Sequence, residues 1–113
     1  MSNADYIDWP GQSGKTYRYW FLDRTGPINA AAGNYAFVME LANGSYRPVY
    51  FGETDDLQDC ITSHERWNEA VRRGAKHVMG HTTPAGGLAR CDEEMDLVQR
   101  WNPPLNVQYR TTG

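Results

Sequence analysis

The sequence predicts a small α/β (α+β) protein, in which a three-stranded, mainly antiparallel sheet is flanked by helices and preceded by an extra N-terminal strand. Three observations lead to this fold class. Two β-prone segments flank the turn dipeptide Asn43-Gly44, which is typical of a hairpin. After Gly52 the apolar residues recur with helical spacing. The length of 113 residues, 40% of them apolar, suits one folded core.

The N-terminal part of the chain is predicted to add one strand to this sheet. Residues 1–15 are rich in Asp, Gly, Ser and Pro and are expected to form an irregular lead-in. Residues 16–22 have strong strand propensity, and residues 23–33 have the composition of a loop. We therefore predict an N-terminal extension at 1–32, made of loop plus one strand, and a main domain at 33–113, within one globular unit.

The predicted hairpin consists of residues 34–41 and 47–51, which are rich in aromatic and other β-prone residues. Gly44 can adopt the positive φ that a tight turn requires. Pro48 has no amide hydrogen, so its nitrogen is expected to face away from the partner strand. We expect these two strands to be adjacent and antiparallel.

Two helices and a third strand are predicted after the hairpin. Thr54 or Asp55 can cap the first helix, and Gly74 stands where a left-handed C-cap residue is expected. The third strand covers residues 76–83, and the second helix covers residues 88–101 before an Asn-Pro-Pro stop. The apolar stripe of the first helix comprises Leu57, Cys60, Ile61, His64, Trp67 or Asn68, and Val71; that of the second comprises Leu88, Cys91, Met95 and Val98.

Composition narrows the cellular setting. No apolar run approaches the roughly 20 residues that span a bilayer, and the first residues carry two aspartates without an apolar core, unlike a secretory signal. We expect a soluble, cytoplasmic protein that does not bind membranes. Cys60 and Cys91 lie far apart without a CxxC pair, unlike the cysteines of a zinc ribbon or a disulfide framework. Both are expected to be free, buried thiols.

Three side chains on the predicted helices are candidates for chemistry. Cys60 and His64 are four positions apart and therefore share a helix face. They form either a small buried residue beside a hydrogen-bonded histidine or a site in which His64 is catalytic or contacts phosphate. A Cys-His metal pair has less support, because no further ligands stand at familiar spacing. Glu94 borders an apolar stripe and needs either a partner such as magnesium or a surface salt bridge.

Basic residues are concentrated between the first helix and the third strand. They are Arg66, Arg72, Arg73, Lys76 and His77. Such a cluster can follow a phosphate backbone, or it can be a solvated helix end whose cations suit the helix dipole. The net charge of -3 argues against tight non-specific binding to a polyanion.

Several motifs, taken in order, resemble the GIY-YIG nuclease domain over residues 33–107. The two strand motifs of that family correspond to Gly33-Asn34-Tyr35 and Tyr50-Phe51-Gly52. The polar stretch before the helix corresponds to residues 53–57, and the closing Pro-rich turn corresponds to residues 102–106. Each string is weak alone, but their shared order forms a fairly specific pattern.

The resemblance implies a divalent-metal-dependent endonuclease that hydrolyses phosphodiester bonds with Mg²⁺ or Mn²⁺. Tyr35 would help to activate the attacking water, Tyr50 and His64 would orient water or phosphate, and Glu94 would hold the metal. The implied catalytic residues are therefore Tyr35, Tyr50, His64 and Glu94, and the implied bracing residues are Gly33, Gly52 and Asn106.

The chain departs from the family at one decisive position. The family's phosphate-contacting arginine corresponds to Cys60, which has neither the charge nor the forked donors that suit a phosphate. Loss of one such stabilising group typically costs roughly 10²–10³ in rate. The other candidates for contacting phosphate are Arg66, Arg72, Arg73 and Lys76.

Three functions follow from these observations. The first is a metal-dependent endonuclease, with DNA expected as the substrate in preference to RNA. The second is a catalytically inactive relative that binds nucleic acid or a protein partner, and Cys60 together with the acidic net charge favours it. The third is a structural adaptor, because a fold does not determine a function.

Overall fold

A computed structural model describes residues 6–22, 28, 30–63 and 66–106. These described residues form five strands and three helices. The strands are β1 (Tyr6–Pro10), β2 (Thr16–Leu22), β3 (Gly33–Glu40), β4 (Tyr46–Thr54) and β5 (His77–Thr82); the helices are α1 (Leu57–Ser63), α2 (Arg66–Arg72) and α3 (Gly87–Trp101). Within these described ranges, no helix is both long and apolar enough to cross a bilayer.

The strands form one antiparallel sheet in the order β1-β2-β5-β3-β4. The predicted mixed α+β class is confirmed, but the sheet has five strands, because the N-terminal part contributes two strands instead of one. The irregular lead-in predicted for residues 1–15 is thus wrong at Tyr6–Pro10, whereas residues 11–15 form the turn between the two strands. Ile7 and Trp9 pack into the core while Tyr6 and Asp8 are exposed, which is the period-two alternation of a strand.

The predicted hairpin is present as β3 and β4, and Gly44 in its turn has φ 86°. The register shifts between Phe37, which faces Tyr50, and Val38, which faces Pro48, so Val49 is the extra residue of a bulge. Since β4 is the last strand in the sheet, Pro48 lies on an edge strand, where a missing amide hydrogen is tolerated.

Each face of the sheet has its own core. Helices α1 and α2 cover one face, where Tyr35, Tyr50 and Ile61 are among the buried residues. Helix α3 covers the other, where Phe51 and Leu97 are among them. Because successive strand residues face opposite sides, Tyr50 and Phe51 are neighbours in sequence but belong to different cores.

The first predicted helix corresponds to α1 and α2, but its N-cap and part of its buried stripe differ from the prediction. The N-cap is Asp56, whose Oδ1 accepts a hydrogen bond from the amide of Asp59 at 3.0 Å, and not Thr54 or Asp55. In α2, Ala70 is buried and Trp67 packs against the same core, while Val71 is exposed. The predicted stripe is therefore wrong at Val71. Gly74 adopts φ 103°, as the prediction of a left-handed residue required.

The buried face of α3 differs from the predicted stripe. Its buried residues are Arg90, Glu93, Leu97 and Val98, whereas Leu88 and Met95 are exposed. The two charged residues are buried because they have partners: Glu93 accepts a hydrogen bond from the Tyr19 hydroxyl at 2.7 Å. Neither cysteine is fully buried; both thiols are free and only partly covered, which corrects the prediction of buried thiols.

Candidate functional site

A cavity of about 300 Å³ opens at the outer edge of β4. Helices α2 and α3 and the C-terminal turn (residues 102–106) meet there. Its walls are formed by Tyr50, Arg66, Glu94, Met95, Val98, Gln99 and Asn106. Three of the predicted site residues, Tyr50, Glu94 and Asn106, thus lie around one space, together with one of the candidate phosphate contacts. The polar groups converge because β4 supplies the tyrosine and the neighbouring helices supply the charges.

Arg66, the first residue of α2, brings a positive charge into this cavity. Its Nη1 donates a hydrogen bond to the Tyr50 hydroxyl at 2.7 Å, and its guanidinium carbon lies 5.5 Å from the centre of the Tyr50 ring. This contact fixes the direction of the guanidinium, which carries more donors than one tyrosine can use. The Arg66 guanidinium is therefore held at the cavity wall beside the Tyr50 hydroxyl.

Glu94 is the carboxyl group of the cavity, and its environment disfavours its charge. Burial raises its pKa to about 7, with a further increase from the nearby Glu53 carboxylate, while the charge of Arg66 acts in the opposite direction. At neutral pH this group is close to half ionised. A bound cation would favour the ionised form by offsetting the repulsion from Glu53.

Tyr35 lies behind Tyr50 and does not line the cavity. The two ring centres are 6.0 Å apart, and Tyr35 is only 3% exposed. Burial raises its pKa well above the usual range, and contacts with Tyr50 and Cys60 add to this effect. The neighbours of Tyr35 thus disfavour the deprotonation that activation of water would require, and the side chain is placed to support Tyr50.

Cys60 occupies the space next to this tyrosine pair. Burial raises the pKa of its thiol, while a hydrogen bond with Tyr35 and the charge of Arg66 oppose that effect. The positive charge of Arg66 therefore lies close enough to Cys60 to lower the pKa of its thiol. Cys60 is the residue that corresponds to the arginine of the GIY-YIG family. The two residues come from different helices, Cys60 from α1 and Arg66 from α2.

Asn106 and Gly52 shape the cavity through the backbone of β4. The Asn106 side chain accepts a hydrogen bond from the Phe51 amide at 2.7 Å and donates one to the Phe51 carbonyl at 2.8 Å. A Cβ at Gly52 would overlap the ring of Tyr35, so only glycine allows this strand to approach the tyrosine. Gly33 is similarly enclosed by the His81 carbonyl and Leu57, but it lies away from the cavity.

The remaining candidates are not brought to the cavity. Arg72, Arg73 and Lys76 are exposed and are absent from its walls. His77, from the same basic cluster, pairs with Glu40 at 3.1 Å. His64 lies outside the described residues, so its predicted role stays a prediction. The basic cluster is therefore divided, and only Arg66 enters the cavity.

Sequence reasoning missed three residues that surround Glu94. Glu53, at the end of β4, influences its charge, and Met95 and Gln99 form the wall beside it. Met95 was assigned to the buried stripe, so its exposure could not be expected. Glu53 could have been identified from its position in the sequence, because it directly follows the Tyr50-Phe51-Gly52 motif near the end of β4. Buried Arg90 holds Glu53 there through an ion pair of 3.0 Å.

The donor set for a metal is small. Among the described residues, no three His, Cys, Asp or Glu side chains are grouped closely enough to hold a metal ion. Mg²⁺ often binds through one or two carboxylates together with water and substrate phosphates. The Glu94 carboxyl in this cavity fits a Mg²⁺ site of this type, in which the protein supplies only part of the metal's ligands.

Comparisons of the chain with protein-family models, with curated proteins and with solved structures found no match. The GIY-YIG resemblance therefore depends on the residues quoted from the sequence. Any function has to be argued from the cavity and its side chains.

Proposed function

We propose that the chain is a GIY-YIG-like domain that binds a phosphodiester of nucleic acid, DNA in preference to RNA, and hydrolyses it with the help of Mg²⁺ or Mn²⁺. The observation that carries this proposal is the meeting of Tyr50, Arg66 and Glu94 around one cavity. An oriented guanidinium, a phenol and a desolvated carboxyl are the groups that phosphate binding and metal-assisted hydrolysis require.

In this proposal, Arg66 supplies the positive charge that is missing because cysteine, and not arginine, occupies position 60. A guanidinium offers forked donors to two phosphate oxygens, and the hydrogen bond to the Tyr50 hydroxyl places the Arg66 guanidinium at the wall of the cavity. A fixed cation at this place stabilises the negative charge that develops on the attacked phosphate without reorganisation.

In this proposal Glu94 would hold the metal, as one of the few protein carboxylates that such a site needs. The metal would polarise the phosphate and neutralise charge on the leaving oxygen. Tyr50 stays neutral at physiological pH, because burial raises its pKa despite the nearby charge of Arg66. Its hydroxyl therefore orients water or phosphate, and Tyr35 positions Tyr50 instead of activating water itself.

The test is a plasmid-nicking assay with magnesium and with manganese. We expect the natural protein to nick the plasmid, and Arg66→Ala and Glu94→Gln each to reduce the rate by roughly 10²–10³. Adding Cys60→Arg to Arg66→Ala should restore part of the rate, because the new guanidinium starts beside Tyr35. Arg72→Ala is the matched control, since it removes an exposed arginine of the same helix that does not line the cavity.

Equal rates for Arg66→Ala and Arg72→Ala would contradict the assignment of Arg66. Absence of nicking by the natural protein, with nicking by Cys60→Arg alone, would identify an inactive relative whose other groups are intact. Absence of nicking by every variant would favour the second function, a non-catalytic module that binds nucleic acid or protein. The presence of Cys60 in place of the family's arginine supports that alternative.

A further inference from the structure

A second cavity lies beside α3, next to the one that contains Arg66. It has a volume of about 310 Å³ and is lined by Ser13, Lys15, Tyr17, Asp92, Met95, Asp96 and Gln99. Met95 and Gln99 line both cavities. These two residues are four positions apart on one helix, so they form a short ridge with a cavity on each side.

Met95 is the exposed apolar part of this ridge. Its side chain is 58% exposed, although the residues of α3 that face the sheet, such as Leu97, are buried. Methionine adapts to irregular partners and makes favourable contacts with aromatic rings. Leu88 on the same helix is even more exposed, at 78%, but it lines neither cavity, so the two residues can be compared directly.

The polar groups on the two sides of the ridge have different chemistry. The first cavity offers the Arg66 guanidinium, which suits a phosphate. In the second cavity, Asp96 already accepts hydrogen bonds from Ser13 and Tyr17. The exposed side chains of Asp92 and Gln99 remain to accept hydrogen bonds from the amino groups of nucleobases.

The separation of the cavities sets a minimum length for a ligand that uses both. The side chains of Met95 and Gln99 stand between the cavities, so a ligand that uses both must pass over this ridge, and a phosphate ion, with no group beyond its own oxygens, can occupy only one of them. Each cavity is near the lower limit of small-molecule sites, roughly 300 Å³. Such a space admits single bases but not a base-paired duplex.

We propose that the occupant of these cavities is an unpaired stretch of nucleic acid that crosses α3 at Met95. A phosphate binds Arg66, Met95 packs against a base or separates two neighbouring bases, and the next base enters the cavity by Asp92 and Gln99. Apolar side chains separate base steps in this way in other nucleic-acid complexes, and unpaired bases present the faces and edges that such contacts need. This inference rests on the proposed function, because it takes Arg66 as the phosphate contact.

The experiment measures binding by fluorescence anisotropy, with calcium in place of magnesium to limit cleavage. The probes are a short fluorescein-labelled single-stranded DNA of mixed sequence, the same strand annealed to its complement, and an RNA of the same sequence. We expect the single strand to bind at least about tenfold more tightly than the duplex. Met95→Ala should weaken single-strand binding by roughly fivefold or more, whereas Leu88→Ala should leave it unchanged.

Equal or tighter binding of the duplex, equal effects of Met95→Ala and Leu88→Ala, or no binding of any probe would each overturn the inference. A preference for the RNA strand over the DNA strand would support it and identify the natural ligand as RNA. The plasmid-nicking assay separates this result from the proposed function. Nicking by the natural protein, together with equal single-strand binding by Met95→Ala and Leu88→Ala, would preserve the nuclease and contradict the role of the ridge, while Met95-dependent single-strand binding without nicking would do the reverse.

Discussion

Glu94 couples the proposed chemistry to the stability of the fold. Its pKa is raised to about 7 in the folded protein, mainly by burial and then by Glu53, whereas a glutamate in the unfolded chain titrates near 4.3. The folded protein therefore binds this proton more tightly than the unfolded chain. Stability falls as pH rises from about 4.3 through about 7 and then levels off.

We expect Glu94→Gln to stabilise the protein above pH 7, because glutamine cannot carry the disfavoured charge. The gain should be roughly 1–2 kcal/mol after allowance for the partial exposure of the carboxyl to solvent, and it should vanish below about pH 4. Urea unfolding at pH 5 and pH 8 would measure it. Glu69→Gln, on α2 and away from the cavity, is the control; an equal gain in both variants would contradict the role of burial.

The sequence predicts Glu94 as a candidate site residue, but it does not predict the raised pKa of its carboxyl group. The glutamate borders an apolar stripe, and that pattern indicates an acid that needs a partner or a cleft. Its pKa depends on Glu53 from β4 and Arg66 from α2, which the fold brings together from distant parts of the chain. Only the tertiary structure supplies these neighbours.

At the scale of elements, β4 is held in place by a side chain from the C-terminal turn. Asn106 makes two hydrogen bonds to the backbone of Phe51. Asn106→Ala leaves a buried amide and carbonyl without this partner, and we expect a loss of roughly 2–4 kcal/mol. Asn106→Asp keeps the acceptor but replaces the donor, so its loss at neutral pH should be of similar size or greater because a carboxylate then faces the Phe51 carbonyl.

Denaturant unfolding of both variants would check this prediction, with Asn43→Ala in the exposed hairpin turn as the comparison. A loss in Asn106→Ala no larger than that in Asn43→Ala would mean that water replaces the side chain. Glu94 contacts the same cavity, so the two sites should be compared in a double variant before their effects are added.

Local signals identified most elements, whereas the burial of α3 required tertiary partners. The hairpin was predictable because Asn43-Gly44 and the flanking β-prone runs are local signals. The buried face of α3 was not, because Arg90 and Glu93 look like surface residues until Glu53 and Tyr19 are known to pair with them. β1 was missed for a related reason: its alternation is short and Asp8 and Pro10 obscured it.

At the scale of the whole molecule, the β1–β2 hairpin is joined to α3 through Asp96. Its carboxylate accepts hydrogen bonds from the backbone and side chain of Ser13 and from the Tyr17 hydroxyl. These hydrogen bonds lower the pKa of Asp96. The stabilisation is present above the pKa of an unfolded aspartate and is lost as pH falls through the lower folded value.

Asp96→Ala should loosen this hairpin without unfolding the rest of the sheet. We expect amide hydrogen exchange at Ser13 to become at least about tenfold faster, while amides in β3 and β4 keep their protection. Hydrogen exchange followed by NMR would measure both. Asp92→Ala, an exposed neighbour on the same helix, is the control, and acceleration throughout β3 would show that the hairpin is part of the main cooperative unit.

The two hydrogen bonds between Asn106 and Phe51 also affect the tendency of the protein to self-associate. An edge strand with free amides and carbonyls is a template on which a second chain can add a strand, and proteins protect such edges against aggregation. Here Asn106 occupies the outward-facing groups of Phe51, and Pro48 offers no amide on the same strand. The asparagine that braces the cavity therefore also prevents β4 from extending its sheet into a neighbouring molecule.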